Sequence, residues 1–176
     1  MLEKNTINSE MLVHVPMCTH KEPKKVLVVM GDDEIKKELE KYDAEVVYSD
    51  SFNSDEKFDV VIYNNNIIDD IVMANAMRNL EDKCGVFASK VISFDANSDA
   101  MKKDLATVAK NFWIAMPYAS GQDMMILASK KYHPQADIIL DRSDFVDTNY
   151  YNTELHNASF VMPTYIQKPL TGIAKR

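Results

Sequence analysis

Short apolar runs alternate with segments of helical periodicity along this chain, and that alternation restricts it to a small set of folds. Residues 26–30 are apolar, rich in valine and followed by Gly31, which is typical of a strand buried on both faces. Residues 35–41 repeat apolar side chains at helical spacing, and residues 45–48 return to a strand pattern. Strand, helix and strand together predict a βαβ unit.

The same pattern recurs towards the C-terminus. It predicts helices at residues 67–80 and 98–110 and strands at 59–63, 85–89, 112–116 and 124–128. Only a short turn joins the last two strands, so they should pair antiparallel. The predicted fold class is therefore α/β. We expect a doubly wound, Rossmann-like, mostly parallel sheet with a C-terminal antiparallel hairpin, similar to class I S-adenosylmethionine-dependent methyltransferases.

The length of 176 residues, of which 46% are hydrophobic and 27% charged, suits one domain with a substantial core. No repeat, low-complexity tract or linker divides the sequence. We therefore expect a single domain over residues 1–176. It would comprise an N-terminal lead-in at 1–23, the sheet and its helices at 24–131 and a C-terminal extension at 132–176.

The formal net charge of -7 argues against nucleic acid or an anionic membrane surface as a partner, because both need a cationic face. Cysteines are limited to Cys18 and Cys84, so no disulfide framework is predicted. Residues 1–10 are polar, and no apolar run reaches the roughly 20 residues of a membrane span. These features predict a cytoplasmic protein.

His14, Cys18 and His20 lie close together in the sequence and raise the question of a metal site. Structural zinc sites usually combine two ligand pairs, and no second pair accompanies these three residues. We expect no metal here, with the three side chains packed on a helix and the loop that follows it.

In an open parallel sheet, ligands bind beyond the carboxyl ends of the strands. Those ends supply Asp32 and Asp33 after the first strand, Asp50 after the second and asparagines 64–66 after the third. Asp50 could accept hydrogen bonds from a ribose, and Asp33 could pair with an amine. The alternative is turn and cap chemistry, since Asp and Asn side chains often bond their own backbone.

Gly31 is the only glycine in the first turn at this edge. A loop that cradles phosphates needs several glycines so that the backbone can approach the ligand closely. A dinucleotide or ATP site of the usual kind is therefore disfavoured.

Three segments resemble the spermidine synthases, which are polyamine aminopropyltransferases. Residues 10–16 and 24–29 are similar to the family's stretch that leads into its first nucleotide-binding strand. Residues 117–121 resemble its Pro-x-Tyr-Pro-Ser-Gly region, and residues 150–163, YYNTELHNASFVMP, resemble its C-terminal signature. The three segments occur in the family's order and span most of the chain.

The resemblance implies aminopropyl transfer from decarboxylated S-adenosylmethionine to putrescine, which yields spermidine and methylthioadenosine. It implies no metal cofactor, because the sulfonium is already a good leaving group. A polyamine and an adenosyl compound are the implied ligands, and a homodimer is the implied assembly. Such a protein must orient the amine, hold a cation and accept a proton.

Carried over by position, the family's glycine-rich loop falls on residues 30–35, where Gly31 and Asp33 keep the family residue type. The resemblance therefore assigns Gly31 and Asp33 to the donor site. The family's ribose-binding glutamate falls on Tyr48, which leaves Asp50 as the nearby acid.

The family's catalytic aspartate falls on Asn64, whose amide cannot accept a proton from an amine. The base is thus unassigned. Asp69 and Asp70 are candidates if the loop turns them inward, and otherwise they are acids at a helix start. Two family segments also lack a counterpart. Only residues 1–9 precede the match where the family has a β-rich N-terminal domain, and residues 51–58 replace a helix, a strand and an adenine-contacting turn.

Tyr118, Tyr150 and Tyr151 are the predicted polyamine contacts, because aromatic faces and hydroxyls suit a cationic chain. The alternative for each is core packing with one satisfied hydroxyl.

Three functions follow as hypotheses. The first is a divergent aminopropyltransferase that acts on putrescine or a similar diamine. The second is a non-catalytic homologue that binds a nucleoside or polyamine, or pairs with another subunit. The third, a small-molecule methyltransferase, rests on fold alone. Asn64 favours weak or absent activity, whereas Asp33 and the C-terminal signature favour a retained site.

Overall fold

A computed structural model describes residues 1–176 and contains one six-stranded sheet. Its strands are β1 (Lys25–Val29), β2 (Glu45–Ser49), β3 (Val60–Tyr63), β4 (Val86–Val91), β5 (Ile114–Ser120) and β6 (Asp123–Ser129). They lie in the order β2-β1-β3-β4-β6-β5. Neighbours among the first four strands are parallel, and β6 runs antiparallel to both β4 and β5. The predicted parallel sheet with a C-terminal antiparallel hairpin is confirmed.

Seven α-helices and one 3-10 turn complete the chain. They are α1 (Lys4–Thr19), α2 (Asp33–Leu39), α3 (Asp70–Asn79), α4 (Ser98–Ala109), α5 (Leu140–Ser143), α6 (Thr153–Ser159), α7 (Thr164–Gln167) and the turn Lys168–Leu170. No helix or strand separates β2 from β3, so the polar connection between them is irregular, as its sequence predicts. No helix is both long and apolar enough to cross a bilayer.

The predicted boundaries differ from the observed ones by up to four residues, and the two largest errors are at α3 and β5. Helix α3 begins at Asp70 because the carboxylate of Asp69 caps it, accepting a hydrogen bond from the Val72 N–H at 2.7 Å. The fifth strand begins at Ile114 and continues through Pro117. Proline is tolerated there because β5 is an edge strand, where one side of the backbone needs no partner.

The sheet separates two apolar cores. Along β1, Leu27 and Val29 belong to the core beneath α3 and α4, whereas Val26 and Val28 belong to the core beneath α1 and α2. All four side chains are buried because helices cover both faces of the sheet. This explains why β1 is apolar throughout rather than alternating.

Two charged side chains fasten the C-terminal segment to the rest of the fold. The buried carboxylate of Glu10 in α1 accepts hydrogen bonds from the backbone N–H groups of residues 149, 150 and 151 at 2.8 to 2.9 Å. Arg142 donates to the carbonyl oxygens of Met17, His20 and Lys21 at the end of α1. The segment that carries Tyr150 and Tyr151 is thereby held against α1.

Candidate active site

The carboxyl end of β1 is a position of close backbone contact. A side chain at Gly31 would place its Cβ 2.6 Å from Cγ1 of Val28, so only glycine fits there. Met30, just before it, has a φ of 60° and an exposed side chain. The first turn thus combines one glycine that sterics require with a methionine held in the left-handed region.

The two aspartates after β1 have separate roles. Asp32 is the N-cap of α2, and its carboxylate accepts a hydrogen bond from the Ile35 N–H at 2.9 Å. Asp33 opens the helix, is exposed and has no hydrogen bond or ion pair. Because Asp32 takes the capping role, Asp33 remains available at the ligand edge, and its contact with the donor stays a prediction.

The carboxyl end of β2 presents Tyr48 where the family has a ribose-binding acid. The Tyr48 ring lies 3.6 Å from the Cβ position of Gly31, so it packs against the first turn. Asp50, two residues later, is exposed and makes no hydrogen bond within the chain. A ribose contact by Asp50 remains a prediction. It requires the ligand to extend from the first turn beyond the ring of Tyr48.

The asparagines after β3 join the loop to β1 and shape its turn. Nδ2 of Asn64 donates to the carbonyl oxygen of Met30 at 2.9 Å, and Oδ1 of Asn64 is buried without a partner. Asn65 accepts hydrogen bonds from the N–H groups of Asn66 and Ile67 through its own Oδ1. The turn alternative therefore describes Asn65, whereas Asn64 ties two strand ends together.

Neither acid proposed as a substitute base is free of other contacts. Asp69 caps α3 through Val72, and the carboxylate of Asp70 forms an exposed ion pair with Lys110 at 3.1 Å. These contacts match the helix-start alternative. Neither carboxylate forms a hydrogen bond with Asn64, and the base remains unassigned.

The three tyrosines predicted to contact a polyamine differ in exposure. Tyr118 is wholly buried and donates to the Met11 carbonyl oxygen at 3.3 Å, which matches the core-packing alternative. Tyr151 is also buried, with its hydroxyl 2.8 Å from Nδ1 of His156, so the polyamine contact of both residues stays a prediction. Only Tyr150 is partly exposed, and its hydroxyl accepts a hydrogen bond from the Gly121 N–H.

His14 illustrates why the sequence cluster of His and Cys is structural. Its Nε2 lies 2.7 Å from Glu38 and its Nδ1 lies 2.6 Å from the Tyr42 hydroxyl, deep between α1 and α2. Burial lowers the pKa of His14, and this outweighs the opposing effect of Glu38. No group of three or more His, Cys, Asp and Glu side chains is arranged to hold a metal ion.

Sequence reasoning missed a cleft beside β3, at the same carboxyl edge. It has a volume of about 320 Å³ and lies between the end of β4 and the start of β6. Its polar lining consists of Lys4, Asn66, Lys90, Ser93 and Asp123. The position of Lys90 just after a predicted strand was the available signal, since side chains there face the ligand edge.

Comparison with known proteins adds to this geometry. A family model described as the spermine/spermidine synthase domain matches residues 5–84. The polyamine aminopropyltransferase of Caldicellulosiruptor bescii is 28% identical over 212 residues, which covers 90% of this chain and 76% of that protein. The chain is thus similar to the spermidine synthase family over most of its length. The resemblance predicted from sequence is thereby confirmed.

Solved structures of spermidine synthases share the fold of this chain. Spermidine synthase from Thermotoga maritima superposes with a TM-score of 0.76 at 24% identity, covering 94% of this chain and 74% of that one. A spermidine synthase in complex with the transition state analogue AdoDATO gives a TM-score of 0.77 at 24% identity, with the same coverage. At this identity the two structures establish the α/β fold of the chain.

Proposed function

We propose that this chain is a polyamine aminopropyltransferase of the spermidine synthase type, with decarboxylated S-adenosylmethionine as donor and an amine as acceptor. The observation that carries the proposal is the similarity over 90% of the chain to a relative named polyamine aminopropyltransferase. A structural neighbour that binds AdoDATO supports an adenosyl donor. Putrescine is the acceptor that the family resemblance implies.

In this proposal the donor lies over the ends of β1 and β2. The backbone at Gly31 permits a close approach, and Asp33 and Asp50 have carboxylates without other partners. The amine lone pair attacks the methylene carbon beside the sulfonium, forming a C–N bond. The C–S bond breaks with its electrons going to sulfur, methylthioadenosine leaves, and the amine nitrogen releases one proton.

The release of that proton should limit the rate. Asn64 stands where the family has its base, and an amide cannot accept the proton. A positioned general base typically contributes about 10²–10⁴-fold to a rate. We therefore expect turnover that is slow for this family, with water as the proton acceptor.

The test is to incubate the purified protein with decarboxylated S-adenosylmethionine and putrescine and to quantify methylthioadenosine by chromatography. The proposal predicts formation above the rate without protein, and none when the amine is omitted. Asp33→Asn should lower the rate because it removes a free carboxylate at the donor edge. Asp43→Asn is the matched control, since Asp43 is exposed before β2, at the opposite edge of the sheet.

A second candidate is a non-catalytic family member that binds the nucleoside alone. The specific observation in its favour is Asn64, whose amide joins β3 to Met30. This candidate predicts that methylthioadenosine raises the melting temperature while no acceptor is consumed. Methylthioadenosine release by the wild type would exclude it, and the absence of both binding and turnover would exclude both candidates.

The proposal also places the protein in the cytoplasm and in a homodimer. The cytoplasmic location rests on the two free cysteines, Cys18 and Cys84. The dimer rests on family resemblance. Sedimentation at several protein concentrations tests it, and a purely monomeric species would contradict it.

A further inference from the structure

The cleft between β4 and β6 has an unusual charge for a polyamine site. Lys90 lies in β4 on the same face as Val86 and Ala88, which belong to the core beneath α1. Its ammonium group has no hydrogen bond and no ion pair, although the side chain is partly buried. The cleft therefore contains a cation that makes no direct ion pair within the chain.

The one acid in the cleft is already paired. Asp123 lies 2.9 Å from the Lys4 ammonium and accepts a hydrogen bond from Nδ2 of Asn8 at 2.8 Å. The positive charge of Lys4 balances the negative charge of Asp123. The positive charge of Lys90 is then left over, so the lining of the cleft has a net positive charge.

The ionisation of Asp123 supports this charge balance. Burial by itself would raise the pKa of Asp123, but hydrogen bonds from Asn8 and Lys4 and the charges of Lys4 and Lys90 outweigh it. The pKa of Asp123 is therefore lowered, so the carboxylate is ionised at neutral pH. The balance of two lysines against one aspartate thus applies under assay conditions.

The position of the cleft suits an acceptor. Asn66, which lines it, follows β3 two residues after Asn64. The donor edge at Gly31 lies on the other side of β3, since β1 and β4 flank that strand. A ligand in the cleft can therefore extend an amine towards the donor.

We propose that the acceptor of this protein is an amine that also bears a carboxylate, with the carboxylate bound by Lys90. This inference rests on the proposed function for the reaction, whereas binding in the cleft can be tested without turnover. A carboxylate supplies the direct ion pair that Lys90 lacks within the chain, and it balances the excess positive charge of two lysines over one aspartate. A diamine such as putrescine would instead bring a second cation beside Lys90, and like charges at close range repel.

Ornithine and putrescine form a matched pair of probes, because ornithine is putrescine with one added carboxylate. Each is titrated calorimetrically into the protein, with and without methylthioadenosine, and each is also offered as acceptor. We expect ornithine to bind at least about tenfold more tightly than putrescine, the size of one hydrogen bond between charged groups. Lys90→Gln should remove this preference, and Lys90→Glu should reverse it.

Lys103→Gln is the control, since Lys103 is an exposed lysine of α4 outside the cleft. It should leave both dissociation constants unchanged. Tighter binding of putrescine, or an ornithine affinity that Lys90→Gln leaves intact, would overturn the inference, as would no binding of either amine.

Turnover separates this inference from the proposed function. Ornithine binding that depends on Lys90, without methylthioadenosine release from any amine, would support the cleft assignment and defeat the proposed reaction. Methylthioadenosine release with putrescine at a rate that Lys90→Gln leaves unchanged would support the proposed reaction and defeat the cleft assignment.

Discussion

The side-chain amide of Asn64 donates a hydrogen bond to the carbonyl oxygen of Met30 across 2.9 Å, and so joins the end of β3 to the end of β1. The backbone N–H of Asn64 reinforces this junction by donating to the Val29 carbonyl oxygen at 3.0 Å. At the position that the family resemblance assigns to the proton acceptor, the chain has an amide that joins two strand ends. Because of this contact, a substitution at position 64 should change both the stability of the protein and the rate of the proposed reaction.

Asn64→Asp is expected to increase aminopropyl transfer by about 10²–10⁴-fold, because it places a carboxylate at the family's base position. It should also lower the free energy of unfolding by about 1–3 kcal/mol, since a carboxylate cannot donate to the Met30 carbonyl oxygen. Initial rates of methylthioadenosine release and urea denaturation measure the two effects.

Asn65→Asp is the matched control for charge. Oδ1 of Asn65 already accepts two backbone N–H groups, and an aspartate preserves both contacts, losing only the donation from Nδ2 to the Met30 sulfur. The rate should therefore change little. An equal increase in both variants would mean that negative charge near the loop, rather than a base at position 64, controls the reaction.

Met30 gives a second prediction, because its φ of 60° is unfavourable for any residue with a Cβ. Met30→Gly and Met30→Ala both remove the exposed side chain from the donor edge, and both should bind methylthioadenosine more tightly than the wild type. Only glycine relieves the backbone strain. The glycine variant should therefore be more stable than the alanine variant by about 1 kcal/mol.

Calorimetry and urea denaturation test these two claims separately. Equal stability of the glycine and alanine variants would show that residue 30 does not hold the left-handed conformation in solution. Unchanged affinity in both variants would show that the methionine side chain does not hinder the donor.

The sheet was predictable from sequence because its signals are local. The apolar run of β1 and the short turn at Gly121 specify a buried parallel strand and an antiparallel hairpin. The interior place of β6 was not predictable from such signals, since pairing between β4 and β6 joins residues distant in sequence. Strand order depends on tertiary contacts that no short window contains.

The candidate site was predictable only in part, for a related reason. Sequence position brought Asp33 and Asn64 to one edge, because parallel strands end together. It could not tell that Tyr118 points into the core, since the face of an edge strand is set by α1 packing against it. The pairing of Asp123 with Lys4 was equally hidden, because α1 and β6 are far apart along the chain.

The buried His156 makes stability depend on pH. Its Nε2 lies 2.9 Å from the Pro134 carbonyl oxygen and its Nδ1 lies 2.8 Å from the Tyr151 hydroxyl, which suits a neutral ring that donates through Nε2. Burial lowers the pKa of His156 to about 4. The unfolded chain, with an ordinary histidine pKa of about 6.5, binds more protons between these values.

Stability should therefore be fully present above about pH 6.5 and fall as the pH drops towards 4. Between pH 7 and pH 5 the expected loss is about 2 kcal/mol from this residue. Urea midpoints across that range measure it, and His156→Gln should reduce the dependence while leaving the part due to the buried His14. A wild-type midpoint that does not change over the range would contradict the role of this ring.

Glu10 provides the last prediction, because its wholly buried carboxylate accepts three backbone N–H groups from residues 149–151. Glu10→Gln keeps the shape but turns an amide N–H₂ towards at least one of these donors. We expect a loss of about 1–3 kcal/mol in the free energy of unfolding, with protease cleavage appearing first near Tyr150. Glu3→Gln is the control, because Glu3 is exposed and makes no cap hydrogen bond. If the two variants were equally stable, the hydrogen bonds from residues 149–151 to Glu10 would not contribute to the free energy of unfolding. The position of Tyr150 would then need another cause.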